Sequence, residues 1–347
     1  MSAGYRAIQW NREKRIYDAI VLGAVAVFIG GFTAIEVALA PPADARAWID
    51  LRIRTFGLCA FLLLTTILAI GPLARLDRRF LPVLYNRRHL GVVTFLVAAC
   101  HGAFVVEWFA AGSELPNLAA ELTRWADYRR FVGFPYKTLG IVALAVMLVM
   151  AATSHDYWLA FLTPPVWKAL HMAVYVAYGL VVMHVALGAL QHSGQVPLAI
   201  VVVVAFGVVC GLHVAAGRAE LSVDAGTALT ADGWIVVGKA GDIPDGRARI
   251  VAAPGGERIA VFRHVDLIGA LSNLCAHQNG PIGEGCIRNG LVTCPWHGFE
   301  YRLEDGRAPP PFTEVLATYR LRIVDGLVQV DPRPQPPGTP TAITLPG

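Results

Sequence analysis

Six stretches of the chain, roughly 18–40, 54–73, 90–111, 136–153, 166–190 and 196–216, are almost wholly apolar, and each is close to the ~20 residues that an α-helix needs to cross a bilayer core. In lipid such a segment can satisfy its main-chain N–H and C=O groups only within its own helix. Residues 1–216 are therefore expected to form a six-helix membrane bundle. Composition agrees, since 55% hydrophobic and 16% charged residues over 347 positions is too apolar for two ordinary soluble domains. The apolar residues thin out after position 216, so 217–229 reads as a linker, 230–332 as a small soluble domain and 333–347 as a Pro-rich tail.

Basic residues orient the bundle. Arg6, Arg12, Lys14 and Arg15 precede the first run, and Arg75, Arg78, Arg79, Arg87 and Arg88 separate the second from the third. The positive-inside rule puts both segments, and with six spans the soluble domain too, on the cytoplasmic face of a bacterial-type inner membrane. Arg124, Arg129 and Arg130 in the outer loop are outnumbered by that cluster. The net charge of +4 is distributed as short clusters between apolar runs, which argues for lipid and against nucleic acid as the partner. "ALAPPADA" at 38–45 resembles a cleavage site, but the run before it is long for a signal core and reads as a retained helix.

Ionisable residues inside spans are costly and mark function. The third run carries His89 and His101, and the fifth carries His171 and His184. These two helices run parallel, and separations of 12 and 13 residues correspond to rises of roughly 18 and 20 Å, suited to two haems stacked across the membrane with one imidazole from each helix on each iron. Helical phase is less favourable, because those separations turn the two side chains of one helix about 120–140° apart. The alternative is that such histidines only hydrogen-bond between helices, and His213, alone in the sixth run, reads that way.

"NRRHLGVVTFLVAACHGAF", "FPYKTLGIVALAVMLVMAATS" and "VWKALHMAVYVAYGLVVMHVAL" resemble successive blocks of the ferric reductase-like transmembrane domain, over roughly residues 50–190. Within that family the likeness is to the haem-binding membrane subunit of bacterial methionine sulfoxide reductase systems. The resemblance implies one or two b-type haems and puts the haem-associated histidines on His101, His171 and His184. His89 departs from the family pattern.

From residue 230 the pattern changes to short β-rich runs such as "WIVVGKA", "RIAVFRH" and "GLVTCPW" between Gly, Asp and Pro, as in a small antiparallel β domain. It contains Cys275-Ala-His277 and Cys294-Pro-Trp-His297. A structural zinc site would more often use C-x-x-C pairs; one cysteine and one histidine per loop suits a [2Fe-2S] centre of the Rieske type. Cys59, Cys100 and Cys210 lie in apolar runs and Cys286 has no evident partner, so no disulfide framework is expected.

"NLCAHQNGPIGEGCIRNGLVTCPWHGFEYRLEDGR" is similar throughout to Rieske domains of ferredoxins and ring-hydroxylating oxygenases. That resemblance assigns Cys275 and Cys294 to the buried iron and His277 and His297 to the outer one. Cytochrome bc-type relatives add a disulfide between the loops and a serine hydroxyl near the cluster. Here those positions read Asn279-Gly280, Trp296 and Phe299, while the family's tyrosine remains as Tyr301. Fewer hydrogen bonds to sulfur imply a lower potential. The segment after Val330 is too short for an oxygenase catalytic domain.

The expectation is thus a transmembrane electron-transfer protein. A soluble cytoplasmic donor such as a flavin reductase would feed the cluster, then the haems, then an acceptor at the far face. No G-x-G-x-x-G fingerprint is present, so NAD(P)H oxidation would need a partner. Alternatives are a quinol-dependent haem protein serving a cytoplasmic oxygenase through the Rieske domain, and a redox-sensing or assembly subunit.

Overall fold

The computed structural model describes residues 12–345 apart from 85, 156, 157, 159, 160, 193, 226, 227 and 297. The membrane half is built from α1 (Arg12–Leu39), α2 (Ala45–Leu76), α3 (Arg87–Ala111), α4 (Tyr136–Ala152), α5 (Pro164–His171), α6 (Val174–Leu187) and α7 (Val196–Ala225). Helices α5 and α6 form one span, Pro165–Gln191, interrupted by turn residues at 172–173. Among the described residues five segments are long and apolar enough to cross a bilayer, and α4, at 17 residues, is shorter. Helices α3 and α7 pack on α2, and α4 packs on α6. Phe61, Leu68, Met147, Tyr178 and Val202 interlock at the centre.

The helix expected to end at 216 continues to Ala225. Its polar last turns are sustained by ion pairs: Glu220 meets Arg75 at 3.0 Å and Arg258 at 3.3 Å, and Asp224 meets Arg258 at 2.9 Å.

The soluble half is antiparallel. The larger sheet runs β1 (Ala228–Leu229), β2 (Ile235–Lys239), β10 (Leu327–Gln335), β9 (Thr318–Val324), β5 (Leu267–Ser272), β4 (Arg258–His264), β3 (Arg247–Ala252), with β11 (Ile343–Thr344) added beside β5. A three-stranded sheet, β6 (Cys286–Arg288), β7 (Leu291–Thr293) and β8 (Glu300–Arg302), stands apart from it. Strand β4 shows how two-residue periodicity builds both layers: Ile259 and Val261 enter one apolar core, while Ala260 and Phe262 enter the other, which holds Ile282, Val292 and Tyr301.

The Pro-rich tail is part of this fold. Strand β10 passes through Pro332 and Pro334 by shifting register between Val330 and Pro334, the kind of irregularity where a residue without an N–H is tolerated. Ile343 then pairs with Ile268, and Ile343 and Leu345 pack on the core.

The two halves meet at the end of the bundle that carries the start of α1. Trp296 packs with the apolar cluster of Ile70, Ala74, Leu84 and Leu90, to which Tyr17 and Val21 of α1 also belong. The Arg87 guanidinium lies 5.5 Å from the Trp296 ring centre, and Arg75 reaches Glu284 at 3.7 Å. Truncation after Gln335 removes the packing of Ile343 and Leu345. At about 1 kcal/mol for each half-buried side chain, the Tm of the β domain should fall by at least about 5 °C, measured by scanning calorimetry of the full chain in detergent.

Candidate functional site

His101 on α3 and His184 on α6 face one another, ring centroids 6.4 Å apart and planes at 86°. His101 Nδ1 lies 3.0 Å from the Ile53 carbonyl of α2, and His184 Nδ1 lies 2.9 Å from the Tyr136 carbonyl at the start of α4. A carbonyl can only accept, so Nδ1 carries the proton and Nε2 keeps its lone pair. Two imidazoles bound through nitrogen to one metal at about 2 Å each would have centroids about 6 Å apart. The pair therefore fits the two axial ligands of a haem.

Two glycines make this approach possible. Gly57 stands one helical turn after Ile53, and a Cβ there would lie 2.9 Å from His101 Nδ1. Gly140 stands one turn after Tyr136, and its Cβ would lie 2.9 Å from the His184 ring. Each bare turn lets an imidazole reach the carbonyl beneath it. No sequence signal pointed to these two positions, because each contact joins helices distant in the chain.

His171 is oriented in the same manner. Its Nδ1 donates to the Trp167 carbonyl at 3.0 Å and its ring stacks on Trp167 at 3.8 Å. Its Nε2 is buried and makes no hydrogen bond of full geometry among the described residues, with the Met150 carbonyl nearby. The ring lines a cavity of about 700 Å³ between the bundle and the β domain, with Gly91, Thr94 and Met147 on the membrane side and Asn273, Gln278 and Trp296 on the other. An orphaned imidazole nitrogen in a cavity of this size fits a second haem.

His89, expected beside His171, is elsewhere. Its Nδ1 lies 2.9 Å from Asp18 of α1, its side chain is 42% exposed, and it is not among the cavity-lining residues. The reason is helical phase. Thr94, Gly91 and Arg87 continue the His101 face of α3 toward the cavity, and a residue 12 positions from His101 falls about 120° off it. His213 also lines the cavity, its Nδ1 against the Val209 carbonyl at 2.8 Å and its Nε2 against the Tyr175 hydroxyl at 2.9 Å.

In the β domain, Cys275 and His277 lie on the loop from β5 to β6, and Cys294 on the loop from β7 to β8; His297 lies outside the described residues. Each loop is a tight turn: Asn279 N–H donates to the Cys275 carbonyl at 2.7 Å, and Gly298 N–H to that of Cys294 at 3.0 Å. Asn279 and Gly298 take left-handed φ values of 54° and 70°. A Cβ at Gly280 would lie 2.9 Å from Cys294 Sγ, so only glycine lets the loops close.

The Tyr301 hydroxyl accepts the Ala276 N–H at 3.1 Å and lies 3.3 Å from Cys275 Sγ. Its proton is thus aimed at sulfur. Burial opposes a Cys275 thiolate, but hydrogen bonds from Cys294, Tyr301 and the His277 and Gln278 N–H groups outweigh it and lower the thiol pKa. Burial, and then the neighbouring thiolate charge, pushes the Tyr301 phenol up, keeping it a donor. His277 is pushed down to about 3 by burial and by the Arg88 and Lys14 cations, so its ring is neutral, as a metal ligand must be. Phe299 stacks on that ring at 5.1 Å and 12°. None of the cysteines forms a disulfide. Among the described residues no three His, Cys, Asp or Glu side chains converge on one point.

Comparison with known proteins agrees with this division. Residues 56–182 match the model of the ferric reductase like transmembrane component, and residues 233–320 match that of the Rieske [2Fe-2S] domain. The anthranilate 1,2-dioxygenase ferredoxin subunit of Burkholderia cepacia is 40% identical over 79 residues, which cover 22% of this chain and 72% of that subunit. Ferredoxin CarAc of Metapseudomonas resinovorans is 30% identical over 98 residues, 28% of this chain and 92% of that ferredoxin. In the membrane half, the protein-methionine-sulfoxide reductase heme-binding subunit MsrQ of Xanthomonas campestris is 33% identical over 136 residues, 37% of this chain and 53% of that subunit. The chain thus spans about half the length of that membrane relative.

Filling either notch tests the pair: Gly57→Val or Gly140→Val should displace one imidazole and abolish haem binding between His101 and His184. The check is the b-type α-band of the purified variant, and retention of full absorbance would refute the assignment.

Proposed function

The chain belongs to the Rieske [2Fe-2S] family and carries a ferric reductase-like transmembrane component, and we propose that it conducts electrons from a soluble donor to an acceptor beyond the far membrane face. The observation that carries this reading is the docking of the cluster loops on the bundle. Asn273, Gln278 and Trp296 from those loops share one cavity with His171. The positive charges of Arg88 and Lys14 in the bundle add to burial in holding His277 neutral.

Bound, a [2Fe-2S] cluster and b-type haems supply the one-electron carriers; the chain supplies ligands, insulation and tuning. Cys275 and Cys294 are assigned to one iron of the cluster, His277 and His297 to the other, His101 and His184 to the outer haem, and His171 to the inner. Arg87, Arg88 and Lys168 at the cavity offer positive charge to the two carboxylates that a haem carries. The β domain sits at the end bearing the basic segment 75–88, which the positive-inside rule makes cytoplasmic. The donor is accordingly a soluble cytoplasmic reductase.

Phe299 favours flow from cluster to haem. With a ring where a hydroxyl would bond to the cluster, Tyr301 is left as the side-chain hydroxyl donor at Cys275, and fewer donors to sulfur mean a lower potential.

The purified protein should show a Rieske EPR signal, acid-labile sulfide and b-type haem together. Zinc without acid-labile sulfide would sink the reading. Tyr301→Phe should keep the cluster but lower its potential by about 65–130 mV, corresponding to a hydrogen bond to a charged acceptor of about 1.5–3 kcal/mol. Redox titration followed by EPR gives that shift, and an unchanged potential would remove Tyr301 as a donor to the cluster.

A further inference from the structure

The cavity beneath the β domain offers an unequal set of nitrogens. His171 presents a buried Nε2 that makes no hydrogen bond of full geometry among the described residues, with the Met150 carbonyl nearby. On the facing side of α3 the cavity is lined by Gly91 and Thr94, which carry no nitrogen ligand. His89 is turned to Asp18. His213 donates through Nδ1 to Val209 and accepts the Tyr175 hydroxyl proton on Nε2, so neither ring nitrogen has a free lone pair and the phenol proton is committed as well.

We infer that a haem seated in this cavity is held to the protein through His171 alone and keeps its opposite axial position open to a small neutral ligand. The inference rests on the reading of the cavity as a haem site. It makes the two sites chemically distinct. Between His101 and His184 the iron has a protein nitrogen on each side and can only relay an electron. In the cavity, the side of the ring away from His171 can admit a diatomic molecule or a free imidazole. Leu64, Leu68 and Met147 give the cavity an apolar wall that suits a small neutral guest, while Arg87, Arg88 and Lys168 stand ready for the carboxylates of the haem. Three methionines, Met147, Met150 and Met172, also line the space, and a thioether closing onto the iron is the chief rival.

Carbon monoxide is the probe, because it binds ferrous haem only where an axial position is open or readily vacated. The full chain in nanodiscs, reduced with dithionite and carrying two haems by pyridine haemochrome assay, should give a carbon monoxide difference spectrum accounting for about half its haem. The oxidised protein should show a high-spin ferric EPR signal of the same share. His171→Ala should remove the carbon monoxide-reactive half and leave one low-spin haem, while His89→Ala should change neither spectrum nor count. Two haems that are both low-spin and inert to carbon monoxide would overturn the inference, with His89 or a methionine as the sixth ligand. Loss of one haem in His89→Ala would overturn it directly. A single haem indifferent to His171→Ala would overturn the two-haem reading and this inference with it. The wild-type spectrum decides the matter even if a variant fails to fold.

Discussion

Every described histidine lying well inside the bundle is tied by Nδ1 to a main-chain carbonyl: His101 to Ile53, His184 to Tyr136, His171 to Trp167 and His213 to Val209. That repeated bond is the constraint on which the site depends. It settles the tautomer, points Nε2 away from the helix that supplies the carbonyl, and satisfies half of a polar ring that lipid would otherwise penalise. Where the bond crosses between helices, the acceptor helix must give up a side chain, and Gly57 and Gly140 are the positions that do so. Imidazole placement and helix packing are thus one requirement.

The β domain is joined to the bundle by contacts of unequal strength. Its ion pairs are partly exposed, with Arg75 and Glu284 at 41% and 20%, and pairs of that kind contribute little. The apolar contact of Trp296 with Ile70, Ala74, Leu84 and Leu90 is the stronger element. It also lies next to His297 in the chain, so the residue that anchors the domain is the residue that carries the outer edge of the cluster loop. Arg75, bound to both Glu220 and Glu284, adds orientation, holding the first cluster loop against the end of α2.

Much of this was legible in the sequence because its causes are local. Apolar run length specified the spans, and Cys–His spacing singled out the cluster loops. The phase mismatch between His89 and His101 was also legible, and the turn of His89 toward Asp18 is its outcome. What escaped were non-local effects. The tail reads as irregular because of its prolines, yet a shift of register accommodates them and Ile343 completes an edge beside Ile268. The extension of α7 depends on Arg75 and Arg258, distant partners that no window of sequence contains.

Phe299 links the tuning of the cluster to the membrane domain. Its ring covers His277 at 5.1 Å and meets Phe312 at 4.9 Å and Tyr301 at 5.2 Å, so the cluster loops close over hydrocarbon where a serine would hold a hydroxyl. Two consequences run in the same direction. Losing a donor to sulfur makes added negative charge on a thiolate-bound cluster less favourable, and excluding water lowers the local dielectric response to that charge. The cations beside His277, Arg88 and Lys14, offset part of this, and they belong to the bundle. On this reading the potential of the cluster is set jointly by its own loops and by the membrane domain beneath them, and it would fall if the β domain undocked. Docking would then govern driving force as well as distance.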